Sequence, residues 1–263
     1  MSVPQPDADL RVIIRARLGA IMRNPTREPN VTCEVCAVPV ERQYSRCYRC
    51  HQDLLNARVP VAQRVVPLTY AVYGEQSNSD MHRYKDPMPD LQRSRNASFQ
   101  RVLLLVLGFA LNHAECIDHV TGMPVTRLVT VPSLRGRPGR HPLALVSEAL
   151  PLHWKRVDLQ AVPGVPEDRR RTINPDHFLL PAPQEVRGQH VVILEDTWVQ
   201  GGHAQSAAAS VLRAGAAEVT VVAIARRIRL DSQRSTVEKH LHQILQGAEY
   251  NIEICPVTGG PCP

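Results

Sequence analysis

Two adjacent carboxylates, Glu195 and Asp196, follow directly on four aliphatic residues, Val191 to Leu194, and two glycines, Gly201 and Gly202, come after four intervening residues. An apolar run ending in acids reads as the carboxyl end of a buried strand. In open α/β sheets, ligands bind in the crevice beyond such ends. A glycine turn leading into a helix near His203 offers free backbone N–H groups and the positive end of the helix dipole, which together attract anions. Thr197, Val199, Gln200, Gly201, Gly202 and His203 are therefore candidate phosphate-cradling residues. The acids beside them accept hydrogen bonds from sugar hydroxyls or hold a divalent cation. The pattern suits a ligand with a phosphate and a polyol. A plain strand–turn–helix competes with this reading, but neighbouring like charges at a strand end cost stability unless something uses them.

Four of the seven cysteines form a second chemical motif: Cys33-x-x-Cys36 and Cys47-x-x-Cys50, separated by ten residues. Each pair puts two thiolates on one turn, and two such turns complete a tetrahedral S4 site for Zn2+. The spacer is short for such pairs but long enough for a hairpin. Four thiolates leave no open coordination position, so this zinc is predicted to be structural, with His51 an unneeded alternative ligand. Cys116, Cys255 and Cys262 are spaced as isolated thiols of the core or surface. Arg42, Arg46 and Arg49 on the ribbon are candidate contacts for nucleic acid, although Tyr44 and Tyr48 are its only stacking residues.

Elements must position these groups. With 263 residues, 43% hydrophobic but only 4% aromatic, the chain can bury an aliphatic core in one medium domain plus an appendage. Aliphatic strands alternating with helices predict a parallel α/β sheet flanked by helices. Helices are expected over Asp9–Met22, Ala97–His113, Leu143–Leu150, His203–Ala214 and Val237–Leu245. Strands are expected over Val65–Tyr73, Val125–Val131, Gln189–Leu194, Glu218–Ala225 and Tyr250–Cys255. Trp154–Val162 and His177–Leu180 read as a short strand pair around a loop, Pro163 to Pro175. Residues 74–95 read as loop. The division is residues 1–58 as helix and ribbon, 59–255 as the α/β domain, and 256–263 as a loose tail. The net charge of +6, mostly arginine, favours an anionic partner. No apolar run approaches the roughly 20 residues of a membrane span. The N-terminal segment lacks the pattern of a signal peptide, so the expected location is the cytoplasm.

The run Val191-Val192-Ile193-Leu194-Glu195-Asp196-Thr197-Trp198-Val199-Gln200-Gly201-Gly202-His203 resembles the phosphoribosyl-pyrophosphate (PRPP) motif of the type I phosphoribosyltransferases. With the paired cysteine motifs, the chain is most similar to the ComF family, whose members commonly carry an N-terminal zinc ribbon. The resemblance implies a phosphoribosyltransferase fold in which Glu195 and Asp196 contact the ribose hydroxyls of PRPP, with Mg2+ shared between ribose and pyrophosphate. It implies that residues 199–203 wrap the 5′-phosphate. Pyrophosphate would fall to Ser133 and Arg135 in a Pro-Ser-x-Arg turn, with Arg137 and Arg140 beyond it. Lys85 of a Tyr-Lys pair and Arg171 of the loop at 163–175 would assist. Val199, Gln200 and His203 depart from the family, which favours hydroxyl or acidic side chains there. The implied activity is transfer of phosphoribose to a nitrogen acceptor. The alternative is a catalytically degenerate binding or adaptor protein linked to DNA uptake or single-stranded DNA.

Overall fold

The aliphatic run around Val191–Leu194 becomes the middle of a five-stranded parallel sheet, because only a central position buries both faces of such a strand. The computed structural model describes residues 8–56, 58–136, 140–230 and 236–263. In chain order the elements are α1 (Ala8–Leu18), α2 (Tyr48–Asn56), β1 (Arg64–Val72), α3 (Gln76–Arg83), α4 (Asp90–Arg93), α5 (Ala97–Asn112), α6 (Ala114–Thr121), β2 (Val125–Thr130), α7 (Pro142–Glu148), β3 (Lys155–Arg156), β4 (Gln160–Ala161), β5 (Phe178–Leu179), β6 (His190–Trp198), α8 (Gly202–Arg213), β7 (Glu218–Ile228) and α9 (Thr236–Leu245). The sheet order is β1-β7-β6-β2-β3, with every neighbouring pair parallel. β4 and β5 form a separate antiparallel pair.

Alternation along the strands builds two cores. Val192, Leu194 and Leu128 face α1, α3, α5 and α6. Val191, Ile193 and Val129 face the other way, onto α8 and the cysteine ribbon. Cys33, Cys36 and Cys50 thus share a continuous apolar core with the sheet. β1 is an edge strand, which accommodates Pro67. Its exposed ladder is met by the segment after α1: the Tyr70 amide donates to the Arg23 carbonyl and the Arg23 amide to Thr69 Oγ1.

Two expectations are corrected. Residues 74–95 are not all loop, since α3 and α4 lie there. The apolar period that marks a helix is missing because the buried face of α3 is largely polar: Ser77, Asp80 and Met81. Asp80 is fully buried and accepts from Gln76, Ser98 and both Arg101 Nε and Nη2, the last two at 2.6 Å. That clamp fixes α3 to α5. Residues 250–255 are not a strand and the tail is not loose. They fold back along α1 and α5, burying Tyr250, Ile252, Cys255 and Val257.

Burial works to raise the Asp80 carboxyl, but its bonds to Arg101, Ser98 and Gln76 hold it below the usual carboxylate range. Its contribution to stability is therefore present above the ordinary carboxylate range and disappears as pH falls through the lowered folded value. Asp80→Asn leaves the Arg101 guanidinium unmatched and is expected to cost about 3–5 kcal/mol in urea unfolding at neutral pH. An unchanged urea midpoint would rule the clamp out.

Candidate functional site

The chain leaves β2 for β3 through α7 and leaves β6 for β7 through α8, so the crossovers run to opposite sides of the sheet. β2 and β6 are direct neighbours, which puts the topological switch point between their carboxyl ends. A ligand crevice is expected at that point. The structure has one there, a cleft of about 650 Å³ lined by Arg135, Arg170, Arg171, Glu195, Thr197 to Ala204 and Arg227, with Glu167 and Asp168 on the rim loop.

β6 runs four residues further than expected, to Trp198, so Glu195 and Asp196 lie within the strand, and Thr197 and Trp198, expected in the turn, belong to it too. Glu195 is buried, and its Oε2 has no hydrogen-bond partner. Burial, and then the adjacent Asp196 charge, push the Glu195 carboxyl well above the usual range. Asp196 moves the other way. Burial opposes its ionisation, but Lys85 Nζ, 2.5 Å from Oδ2, holds it below the usual range. The opposed shifts favour a single negative charge on the pair, on Asp196, beside a lysine delivered from the turn after α3.

The following loop is shaped by a residue the sequence reading did not single out. Arg226, register partner of Trp198 on β7, is buried, and its Nη1 donates to the carbonyls of Trp198 and Val199, each at 2.9 Å. In a trans peptide the C=O and N–H point in opposite directions. Turning these carbonyls toward Arg226 therefore turns the amides of Val199 and Gln200 away from it. Gly201 follows with φ +82°, and a Cβ there would sit 2.3 Å from the Trp198 ring. At Gly202 a Cβ would sit 2.2 Å from the Arg171 carbonyl oxygen, so the loop at 163–175 lies directly on the start of α8. Inside α8 the first-turn amides have no carbonyl to bond, and Gly201 supplies no side-chain cap. The cradle is thus made of backbone donors, and Val199, whose side chain is half-exposed, still contributes its amide. Burial lowers His203, which favours the neutral imidazole despite nearby Asp196.

The other predicted residues divide. Arg135 and Arg171 line the cleft, while Ser133 lies outside the lining and accepts from the Arg135 amide at 3.2 Å. Lys85 faces Asp196. Arg140 pairs with Glu148, and Arg137 falls outside the described residues. Arg170 Nε donates to the Val165 carbonyl, bracing the rim loop. Arg227 was missed, yet it had a signal: it stands at the carboxyl end of the strand after α8.

Cys33, Cys36, Cys47 and Cys50 bring their sulfurs within 4.8 Å of one another, an arrangement that could hold a metal ion. Cys36 and Cys47 are 3.9 Å apart, and the Cys50 amide donates to Cys47 Sγ. Four mutually facing thiols suit a soft-ligand divalent metal. Arg46 pairs with Glu34, and Arg49 bonds Asp53 and the Arg171 carbonyl, linking ribbon to cleft loop.

No protein-family model matches this sequence, and no curated protein matches it. Among solved structures it is similar to a phosphoribosyltransferase from Corynebacterium diphtheriae. The two are 22% identical, the match covers 61% of this chain and 82% of that one, and the TM-score is 0.26. That likeness is too loose to transfer residue roles, and the site rests on the geometry above. Among the described residues no single helix is long and apolar enough to cross a membrane.

Proposed function

We propose that the cleft binds PRPP with Mg2+ and that the chain transfers the phosphoribosyl group to a nitrogen acceptor. The observation that carries this reading is the unpartnered, buried Glu195 Oε2 beside the Asp196–Lys85 pair, next to a loop of outward-facing amides. A buried carboxyl oxygen without a partner costs stability unless a ligand supplies one. A ribose hydroxyl meets that need, while the 5′-phosphate takes the amides of residues 199–203. Arg135 and Arg171 face the cleft where the pyrophosphate would lie, as guanidinium forks suited to phosphate oxygens. Mg2+ would be held by the two acids and the pyrophosphate and would neutralise leaving-group charge. In transfer, the nitrogen attacks the anomeric carbon as its bond to pyrophosphate breaks, and the acceptor releases a proton. The protein's part is positioning and electrostatic stabilisation. A structural zinc in the cysteine ribbon completes the reading.

Calorimetry with PRPP and Mg2+ is expected to show saturable binding, with ribose 5-phosphate weaker. Absence of heat with PRPP, ribose 5-phosphate and pyrophosphate alike would overturn the proposal. PRPP binding without pyrophosphate release, across a panel of nitrogen nucleophiles, would instead make the cleft a sensor. A salt-sensitive mobility shift with single-stranded DNA would add the adaptor role.

A pH dependence follows from Glu195. In the free protein its neutral form is favoured, a contribution present below the ordinary glutamate value and lost as pH rises through the raised one. A ligand that needs the ionised form must expel that proton. Binding is therefore expected to release up to about one proton per site and to tighten as pH rises through the raised value. Titrations at one pH in two buffers of different ionisation enthalpy measure this directly. Equal heats in both buffers would exclude the linkage.

A further inference from the structure

Cys116, Cys255 and Cys262, which sequence spacing leaves as unrelated thiols, meet in space together with His113. The four ligand atoms lie within 4.8 Å of one another. We propose that they form a second zinc centre, a closed Cys3His site that clamps the C-terminal segment to the junction of α5 and α6.

The histidine carries the strongest part of the case. His113 Nε2 lies 2.6 Å from the Ile252 carbonyl oxygen. A carbonyl only accepts, so Nε2 bears the hydrogen and Nδ1 keeps its lone pair. Nδ1 is the atom facing the sulfurs, 3.3 Å from Cys262 Sγ. Metal-bound histidines are oriented in this way, one ring nitrogen donating to a carbonyl and the other free to ligate. Zn–S and Zn–N bonds of about 2.3 and 2.0–2.1 Å place the ligands of a tetrahedral Cys3His site roughly 3.5–3.8 Å apart, so these atoms already approach that spacing.

The backbone prepares both halves. His113 stands at the break between α5 and α6, and the Cys116 amide bonds its carbonyl, which gives a His-x-x-Cys turn. Cys255 and Cys262 bracket a turn closed by the Cys255 amide on the Gly260 carbonyl and the Gly259 amide on the Cys255 carbonyl, at 2.8 and 2.7 Å. Residues 249–263 contain no helix or strand, yet Ile252, Cys255 and Val257 are buried. So short an irregular segment has little apolar surface with which to hold itself down, and a metal crosslink supplies the missing constraint. A disulfide is a poorer fit: it would join two of the three thiols and leave the third, with the oriented imidazole, unused. The ribbon cysteines belong to the core on one face of the sheet, whereas Cys116 and Cys255 belong to the core on the other. Each face thereby has its own clip. Four protein ligands leave no open position, so the role is structural.

The test is zinc content of the purified full-length chain, after gel filtration under mild reduction, for the wild type, Cys262→Ser, Cys36→Ser and the double variant. The expected result is two zinc per chain, one in each single variant and none in the double. In the wild type, iodoacetamide is expected to label Cys116, Cys255 and Cys262 only after chelation, a measurement that needs no variant to fold. The proposal is overturned if Cys262→Ser keeps the wild-type zinc content. It is equally overturned if the three thiols of the metal-loaded wild type alkylate freely, or if mass spectrometry without reduction finds two of them joined.

Discussion

Replacing Glu195 by glutamine and Asp196 by asparagine together is expected to cost about 3–5 kcal/mol of unfolding free energy, more than the two single replacements combined. The reason is the shared charge. Lys85 and Asp196 side chains are only 17% and 16% exposed, so an unmatched ammonium there is expensive. In Asp196→Asn, Glu195 loses the neighbour that helps to suppress its ionisation, and Lys85 draws it into the anionic form. Glu195 then takes over as counter-ion, and the loss is partial. In Glu195→Gln, the Asp196–Lys85 pair survives. Only the double variant strands the lysine, which predicts a coupling of about 1–3 kcal/mol in a double-mutant cycle. PRPP affinity is expected to fall at least about 100-fold in the double variant, since two hydrogen bonds to charged groups are worth about 1.5–3 kcal/mol each. Urea titrations of all four proteins test the cycle, and calorimetry tests the binding. Strict additivity would dissolve the shared-charge account, and undiminished PRPP heat would remove the acids from the site.

Cys36→Ser is expected to destabilise the whole molecule, not just the ribbon. Structural zinc contributes up to about 10–16 kcal/mol in isolated finger peptides. Even a loss on the order of 4 kcal/mol would lower the melting temperature of a chain this size by roughly 10 °C. The loss should spread because Cys36 packs in the same core as Val191, Ile193 and Ala207. Two polar ties carry it further. Arg49 of the ribbon helix holds the Arg171 carbonyl, and Gln205 of α8 forms two 2.9 Å bonds with the backbone of Ala62, on the segment leaving the ribbon. Scanning calorimetry should show one transition moved down. A separate low-temperature transition, with the main one in place, would show that the ribbon melts alone.

The sheet was legible because continuous aliphatic runs ending in turn residues have few other readings. The acid pair and the glycine turn were legible because their types are unusual at a strand end. What stayed hidden depends on contacts between distant segments. The buried face of α3 is polar, so hydrophobic periodicity was silent there. Arg226 sits in a strand among apolar residues and looks like an outward-facing charge until β6 is laid beside it. Lys85 is expected from the resemblance to assist at the pyrophosphate, whereas the fold sets it against Asp196. Cys255 and Cys262 lie six intervening residues apart and about 140 from Cys116, beyond any spacing rule.

The parallel order of the sheet also bears on how the chain is made. β1 ends at Val72, but its only sheet neighbour among the described residues, β7, begins at Glu218. At ribosomal speeds of about 5–20 residues per second, the roughly 150 residues between them take on the order of 10–30 s to emerge. Throughout that interval a mostly apolar strand waits on the growing polypeptide with its β7-facing edge unpaired. The ribbon just upstream closes over a span of 18 residues, Cys33 to Cys50, and can fold at once. Its early closure would give β1 a surface to rest against. Metal-starved synthesis is therefore expected to yield more aggregate than inactive folded protein, and an unchanged soluble yield would show that β1 needs no such support.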